Sequence, residues 1–205
     1  MKALTEIKLP FNLGWLPIGY FPAAHVNILY QLAQQASSVL EIGSWVGRST
    51  CVIGAALKSR RDSVPFHTVD FFIKDDSDWQ RRYGVPLSLK ANAEVYRYFM
   101  KLPGGPRGSL ERHLLTRGLR DLVTVHEGDF RDIDFGRRFG LIFCDATHDV
   151  REIELNVAKA LDLLEPHGIL ACDDIVDENL RCALLSQSDF EWHQVHKALF
   201  YGMPR

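Results

Sequence analysis

Five short apolar runs in this chain each stop at an acidic residue or a glycine: VLEIG at Gly43, FHTVD at Asp70, LVTVHEGD at Asp129, FGLIFCD at Asp145 and GILACDD at Asp173 and Asp174. Stretches of helical periodicity lie between several of them. Strands that alternate with helices predict a parallel, doubly wound α/β sheet covered on both faces. In such sheets ligands bind beyond the carboxyl ends of the strands. One Asp or Gly after a strand is ordinary turn chemistry. A whole set of them at one end of a sheet points to a ligand.

The helical expectations follow from spacing. Phe21-Pro22 opens a pattern running to Ala36 that carries Val26, Leu29, Tyr30 and Leu32, with Pro22 suited to a first helical turn. A second helix is expected from Ser49 to Ser59. Between the last two parallel strands, Val150, Ile153, Val157, Leu161 and Leu164 make one stripe, which Pro166 and Gly168 should end. At 205 residues the chain reads as a single domain, 1–205, with an N-terminal helical segment 1–36 and a lid-like insertion at about 71–109, long for one connection. Within the insertion one helix is expected from Leu87 to Leu102 and another from Ser109 to Arg117, with GGPRG (Gly104 to Gly108) as a surface loop.

Composition narrows the function. Lys and Arg number 24 against 26 Asp and Glu, a formal charge of −2, which argues against a protein built to coat nucleic acid or an anionic membrane. No apolar run reaches the length of a membrane span, and Glu6, Lys8 and Pro10 interrupt any signal-peptide core. The chain is expected to be soluble and cytoplasmic. Cys51, Cys144, Cys172 and Cys182 form no C-x-x-C pair and read as reduced, structural thiols.

In EIGSWVGRST, Gly43 and Gly47 permit a tight turn and close backbone approach to a ligand, and Ser49 and Thr50 begin a helix whose free N–H groups favour an anion. Asp70 follows at the end of the next strand, the usual place for a carboxylate that accepts hydrogen bonds from a ribose diol. These features predict nucleotide binding. The spacing is G-x-x-x-G, without the third glycine of a dinucleotide fingerprint, and no G-K-S/T phosphate loop is present.

VLEIGSWVGRST resembles motif I of the S-adenosylmethionine-dependent methyltransferases with a Rossmann-like fold, and the resemblance continues through VDFF, HEGDF, FCDATHDV and LLEPHGILACDDI. The last two resemble the small O-methyltransferase branch of catechol-type and macrocin-type enzymes. The resemblance implies that Glu41 and the loop containing Gly43, Ser44 and Gly47 hold the methionine half of S-adenosylmethionine, with Ser49 near its carboxylate. Asp70 would bind the ribose, Phe71 would lie beside the adenine, and Asp129 and Phe130 would meet the adenine from the other side. Core packing is the competing role for Phe71 and Phe130.

The same resemblance places the chemistry at Asp145, Thr147 and His148. A histidine titrating near neutrality suits the removal of a proton from an attacking hydroxyl, and the competing role of His148 is a helix cap. Asp145, Asp173 and Asp174 would form an all-oxygen site for Mg²⁺ or a similar hard cation, since three crowded carboxylates otherwise repel one another. The expected partner is a small hydroxylated acceptor, with no nucleic acid and no membrane. The alternatives are a metal-independent methyltransferase acting by proximity and a non-catalytic nucleotide-binding protein of the same fold.

Two segments depart from the resemblance. Few residues follow Glu191, so the antiparallel strands that close such sheets should be very short, missing or supplied by a partner. The aromatic stretch FNLGWLPIGYF suits burial over the active site or against a partner in a homo-oligomer. His25, His67, His113, His126 and His167 show no ligand spacing and read as structural, and His193 and His196 should face opposite ways on an extended strand.

Overall fold

The computed structural model describes residues 4, 6–146 and 149–205. Strands β1 (Val39–Ile42), β2 (Phe66–Asp70), β3 (Thr124–Glu127), β4 (Phe139–Cys144), β5 (Leu164–Cys172), β6 (Phe190–His196) and β7 (Leu199–Pro204) form one sheet in the order β3-β2-β1-β4-β5-β7-β6. The first five are parallel, and β7 runs antiparallel to both β5 and β6. The doubly wound, Rossmann-like α/β architecture is therefore the one expected. The closing hairpin comes from this chain itself and turns at Lys197, whose φ is 33°.

Helices α1 (Ala23–Gln35), α2 (Arg48–Lys58) and α5 (Gly105–Thr116) pack on one face of the sheet, and α6 (Val150–Leu163) and α7 (Glu178–Leu185) on the other. Strand β4 shows how one sequence serves both layers. Leu141 and Phe143 join the first core while Ile142 and Cys144 join the second, the period-two alternation of an extended chain. All four residues of β1 are buried, as a central parallel strand requires.

The long connection between β2 and β3 holds α3 (Asp76–Tyr83), α4 (Ala93–Lys101) and α5. Sequence reading missed α3, although Asp75 caps it by accepting from the Asp78 N–H and Gly84 ends it in the left-handed conformation. The helix expected from Leu87 is shorter than supposed. Residues Leu87–Leu89 make a 3-10 turn after Pro86, and α4 starts only at Ala93. The GGPRG run is not a surface loop: it opens α5, with Pro106 in the first turn, where its missing N–H has no intrahelical partner to lose.

Two boundaries on the other face also move. α6 ends at Leu163, and β5 begins at Leu164, ahead of Pro166. A register shift between Phe139 and Leu141 on the neighbouring strand accommodates the extra residues, which is how a strand tolerates proline. The buried face of α6 is Ile153, Asn156, Val157 and Ala160, not the whole stripe, since Val150 is exposed. Helix α7, capped by Asp177, was also missed. All four cysteines are free: Cys51, Cys144 and Cys172 are buried and Cys182 is exposed. Among the described residues, no helix is long and apolar enough to cross a membrane.

Phe143 is fully buried at the centre of β4 and meets Phe21 edge to face at 5.7 Å. Phe143→Ala should lower the unfolding free energy by about 3–5 kcal/mol in a urea titration, the range for emptying a packed aromatic site; a loss below about 1 kcal/mol would show a core that collapses around the gap.

Candidate functional site

The strand order reverses between β1 and β4, and the sequence-predicted residues gather at that switch point. Backbone hydrogen bonds carry the ladder one residue past the strands: Gly43 N–H donates to Val69 at 2.9 Å, Asp145 N–H to Ile42 at 2.8 Å and Asp173 N–H to Cys144 at 3.0 Å. The strand ends are thus locked side by side. Gly43 has φ 90°, and a Cβ there would collide with the carbonyl oxygen of Asp145. Only glycine fits where β1 leaves the sheet beside β4.

Above this floor lies a cleft of about 1100 Å³ of empty space. Gly43, Ser44, Ser49, Asp70, Phe71, Phe130, Asp145 and Asp174, all singled out from the sequence, line it. Glu41, Gly47, Asp129 and Asp173 do not line it; Gly47 instead caps α2 at φ 97°, where a Cβ would meet Leu110. His148 and Thr147 fall outside the described residues.

Asp70 is the anchor of the loop. One of its oxygens accepts from the Trp45 N–H at 2.8 Å and the other from the Phe72 N–H at 2.7 Å. Trp45 and Phe72 both have left-handed backbones, φ 44° and 48°, and so does Asp174 at φ 62°. Three of the four non-glycine residues with positive φ among the described residues therefore stand at strand ends around one cleft. Such conformations cost of order 1–3 kcal/mol each and persist where the surroundings impose them, commonly at functional sites.

Glu41 lies beneath the loop and is fully buried. Its Oε2 accepts from the Thr50 and Thr68 hydroxyls, each at 2.7 Å, while Oε1 has no partner. Burial pushes its carboxyl up to about 7 against these hydrogen bonds and one from Ser49. Glu41 thus couples β1, β2 and the start of α2 from below.

Asp129 is held away from the cleft by two arginines. Arg131 donates to it at 2.8 and 2.5 Å and Arg82 at 3.1 Å. Burial alone would raise its carboxyl; these hydrogen bonds outweigh burial and hold it well below the usual range. Arg82 also covers the Phe71 ring, its guanidinium carbon 3.3 Å from the centroid, so one face of that ring is already occupied. Phe130 lines the cleft and packs in the second core at once.

Asp145, Asp173 and Asp174 each offer an oxygen within 4.8 Å of the others. Burial, then the charges of Asp173 and Asp174, raise the Asp145 carboxyl well above its ordinary value. Asp173 is buried and faces His25, whose Nδ1 is 2.9 and 3.1 Å from its two oxygens.

Sequence reading missed most of the cleft's aromatic walls. Tyr20 stacks on Trp45 at 6.2 Å, Trp45 meets Tyr96 at 5.1 Å, and Trp79 meets Tyr96 at 5.1 Å. Trp45 stands inside the glycine loop itself, a signal available in GSWVG. The N-terminal aromatic stretch, expected over the active site or against a partner, contributes Gly19, Tyr20 and Phe21 to the cleft. Arg48 ties that strap down, donating to the carbonyls of Pro17 at 2.6 Å and Phe21 at 3.2 Å. Burial, then the neighbouring Tyr20 and three carboxylates, push the Tyr96 phenol up to about 12, so at neutral pH it is a hydrogen-bond donor. Ser44 Oγ, Trp45 Nε1 and Trp79 Nε1 are buried without partners among the described residues, and all three residues line the cleft. Buried polar atoms are seldom left unpaired, and these three stand together in one cleft.

A family model described as a methyltransferase domain matches residues 40–175, which span β1 to the end of β5 and every strand-end residue above. The chain belongs to this methyltransferase domain family. Solved structures agree at the level of the fold. Cofactor-bound Rv0187 from MTB superposes with a TM-score of 0.61 at 18% identity, covering 92% of this chain and 83% of that one. The O-methyltransferase TomG from Streptomyces achromogenes, in complex with SAM, gives 0.56 at 19% identity, covering 92% and 81%. An O-methyltransferase from Bacillus cereus, in complex with SAH, gives 0.59 at 16% identity, covering 93% and 84%. No curated protein sequence is similar enough to this chain to count as a relative.

Glu41 supplies a test of this geometry. Its folded pKa of about 7 lies above the ordinary 4.5, so the native chain holds the proton more tightly than the unfolded chain. The stability it contributes is full below the ordinary pKa and is lost as pH rises through 7. Glu41→Gln has no proton to lose. Relative to wild type it should gain up to about 3 kcal/mol in denaturant titrations between pH 5 and pH 8. A gap that stays constant over that range would show an unperturbed carboxyl.

Proposed function

We propose that this methyltransferase is an S-adenosylmethionine-dependent O-methyltransferase acting on a small hydroxylated acceptor with the help of a divalent cation. The observation that carries the reading is the meeting, in one cleft, of the glycine loop, Asp70, Asp145 and Asp174, with the buried Asp173 carboxylate within 4.8 Å of the last two. Solved structures of similar fold include O-methyltransferases in complex with SAM and SAH, which supports the choice of cofactor.

The residues present suit S-adenosylmethionine. Helix α2 starts at Gly47 with no side-chain cap, so its first-turn N–H groups, beside Ser49, are available to the methionine carboxylate. Gly43 and Ser44 bring backbone close to the methionine half, and Glu41 braces the loop from beneath. Asp70, its oxygens aligned by two backbone N–H groups, accepts from the ribose hydroxyls. Phe71 and Phe130 flank the adenine, and Asp129 acts through Arg82, which holds Phe71. The cofactor supplies an electrophilic methyl group on a sulfonium.

The carboxylate triangle suits a hard cation such as Mg²⁺, because its donors are all oxygens and because their mutual repulsion raises Asp145. A cation held there would lower the pKa of an acceptor hydroxyl as a Lewis acid. In the chain itself, Asp145, Asp173 and Asp174 orient the hydroxyl beside the cofactor, His148 takes its proton as general base, and the aromatic walls exclude water. A metal-independent reading draws on Asp173, whose carboxylate already has a partner in His25; in that reading proximity does most of the work. A near-neutral chain gives no electrostatic drive toward nucleic acid, and a cytoplasmic location accords with free cysteines.

Asp70→Ala should weaken binding of S-adenosylmethionine by about 1.5–3 kcal/mol in titration calorimetry, the range for hydrogen bonds to a charged group. Unchanged affinity would remove Asp70 from the ribose site. With a hydroxylated acceptor, His148→Ala should slow transfer by about a hundredfold at neutral pH, recovering in part as pH rises. An unchanged pH–rate profile would take His148 out of the proton transfer; the cap of α6, the competing role, is filled by Asp149, which accepts from the Glu152 N–H. Full activity after chelation would select the metal-independent reading. The insertion should exchange amide hydrogens faster in the empty protein than with cofactor bound, and full protection without ligand would make it a fixed wall.

A further inference from the structure

Three segments far apart in the chain converge on a buried imidazole. His25 lies in the first turn of α1, Asp173 follows β5 and His196 ends β6. His25 Nδ1 is 2.9 and 3.1 Å from the two oxygens of Asp173, and its Nε2 is 3.0 Å from Nδ1 of His196. His25 is 3% exposed and Asp173 is 2% exposed. The ring of Phe21 meets the imidazole edge to face at 5.6 Å. His25 is therefore held at both nitrogens and against a third ring.

A carboxylate is an acceptor only, so Nδ1 of His25 carries a proton and donates it to Oδ2 of Asp173 at 3.1 Å; Oδ1, 2.9 Å from the same nitrogen, is buried without a hydrogen-bond partner among the described residues. The second nitrogen and His196 Nδ1 share one hydrogen between them, so the link to His196 fixes the ring in its plane. A donor fixed on one oxygen in this way sets the rotation of the Asp173 carboxyl group. That carboxyl is one corner of the triangle whose oxygens lie within 4.8 Å. Like-charged neighbours would otherwise turn it away from Asp145 and Asp174.

We propose that His25 is a positioning residue for the cation site: it donates to Asp173, with His196 behind it, and so holds the carboxylate at the angle the site needs. The inference rests on the divalent-cation reading given above. Groups that hydrogen-bond to a metal ligand orient it, and their loss commonly weakens metal binding by about 10–100-fold. His25 acts through Asp173 and need not touch acceptor or cofactor.

The test is Mn²⁺ binding to the full chain, followed by electron paramagnetic resonance of the free ion, with S-adenosylhomocysteine affinity measured in parallel. In His25→Asn the amide nitrogen falls near the place of Nδ1 and can still donate to Asp173. In His25→Gln it falls near Nε2 and serves His196 instead. Both are polar replacements of similar bulk, so their comparison does not depend on a large core change. His25→Gln and His25→Leu should each weaken Mn²⁺ binding by about tenfold or more, and His25→Asn should stay within about threefold of wild type. Affinity for S-adenosylhomocysteine should be the same in wild type, His25→Asn and His25→Gln. Equal Mn²⁺ affinity of the Asn and Gln variants overturns the proposal, as does a joint loss of Mn²⁺ and S-adenosylhomocysteine binding in both, which would mark His25 as packing. Wild-type Mn²⁺ binding that ignores His25 sinks this inference alone. No saturable Mn²⁺ binding in the wild type sinks it together with the cation reading, while the cofactor measurement stands independently.

Discussion

The structure of the site depends on one close approach, the backbone of Gly43 against the carbonyl of Asp145. No side chain fits between them. With β1 and β4 in contact as they leave the sheet, the chain after β1 must turn at once, and it turns over the end of β2. That turn carries the Trp45 N–H onto Asp70. The same contact fixes Asp145 beside the loop and, through the Cys144 carbonyl, Asp173 one strand further on. A side chain at position 43 would push β1 and β4 apart at the switch point and separate every group that the cleft brings together.

The second constraint is charge. Glu41, Asp70, Asp129, Asp145, Asp173 and Asp174 all stand at or behind the carboxyl ends of five parallel strands. Desolvated carboxylates repel and tend to neutralise, and the fold answers differently at each. Hydroxyls take Glu41, backbone N–H groups take Asp70, arginines take Asp129, and an imidazole takes Asp173. At Asp145 the answer is a raised carboxyl. A raised carboxyl favours the neutral form, which relieves the repulsion from Asp173 and Asp174 at the strand end beside the switch point.

The strands were legible because buried parallel strands are continuous apolar runs, and their ends were legible because Asp and Gly follow them. FHTVD reads directly as β2. The insertion was legible only in part: α4 and α5 overlap the two helices expected there, while α3, a short helix of mostly polar residues that buries only Trp79, was missed. Asp75 with Gly84, and Asp177 before α7, were capping signals that could have marked two missed helices. Eight of the site residues read from the sequence do line the cleft, since strand ends dictate their place. The link from His25 to Asp173 could not be read, because it joins α1 to β5 across the whole chain and no spacing records it. Arg82 on Asp129 escaped for the same reason, arriving from a helix the sequence did not reveal, whereas Arg131 stands only two residues from Asp129.

The cleft has two covers of different strength. The N-terminal strap buries Leu16 and Phe21 in the first core and is bound to Arg48 through backbone carbonyls. Apolar burial of that kind is worth about 1.5–3 kcal/mol per side chain. The insertion is joined to β3 by Lys74 and Arg107 on Glu127, and α3 to α4 by Asp76 on Arg97. These pairs are largely exposed, and exposed pairs contribute about 0–1 kcal/mol each and weaken with salt. One wall of the cleft is therefore part of the core, while the other is a separate small cluster resting on surface ion pairs. The two walls meet at Trp45 on the loop, which packs against Tyr96 and Phe99 of the insertion, so what holds the second wall to the first is aromatic contact rather than charge.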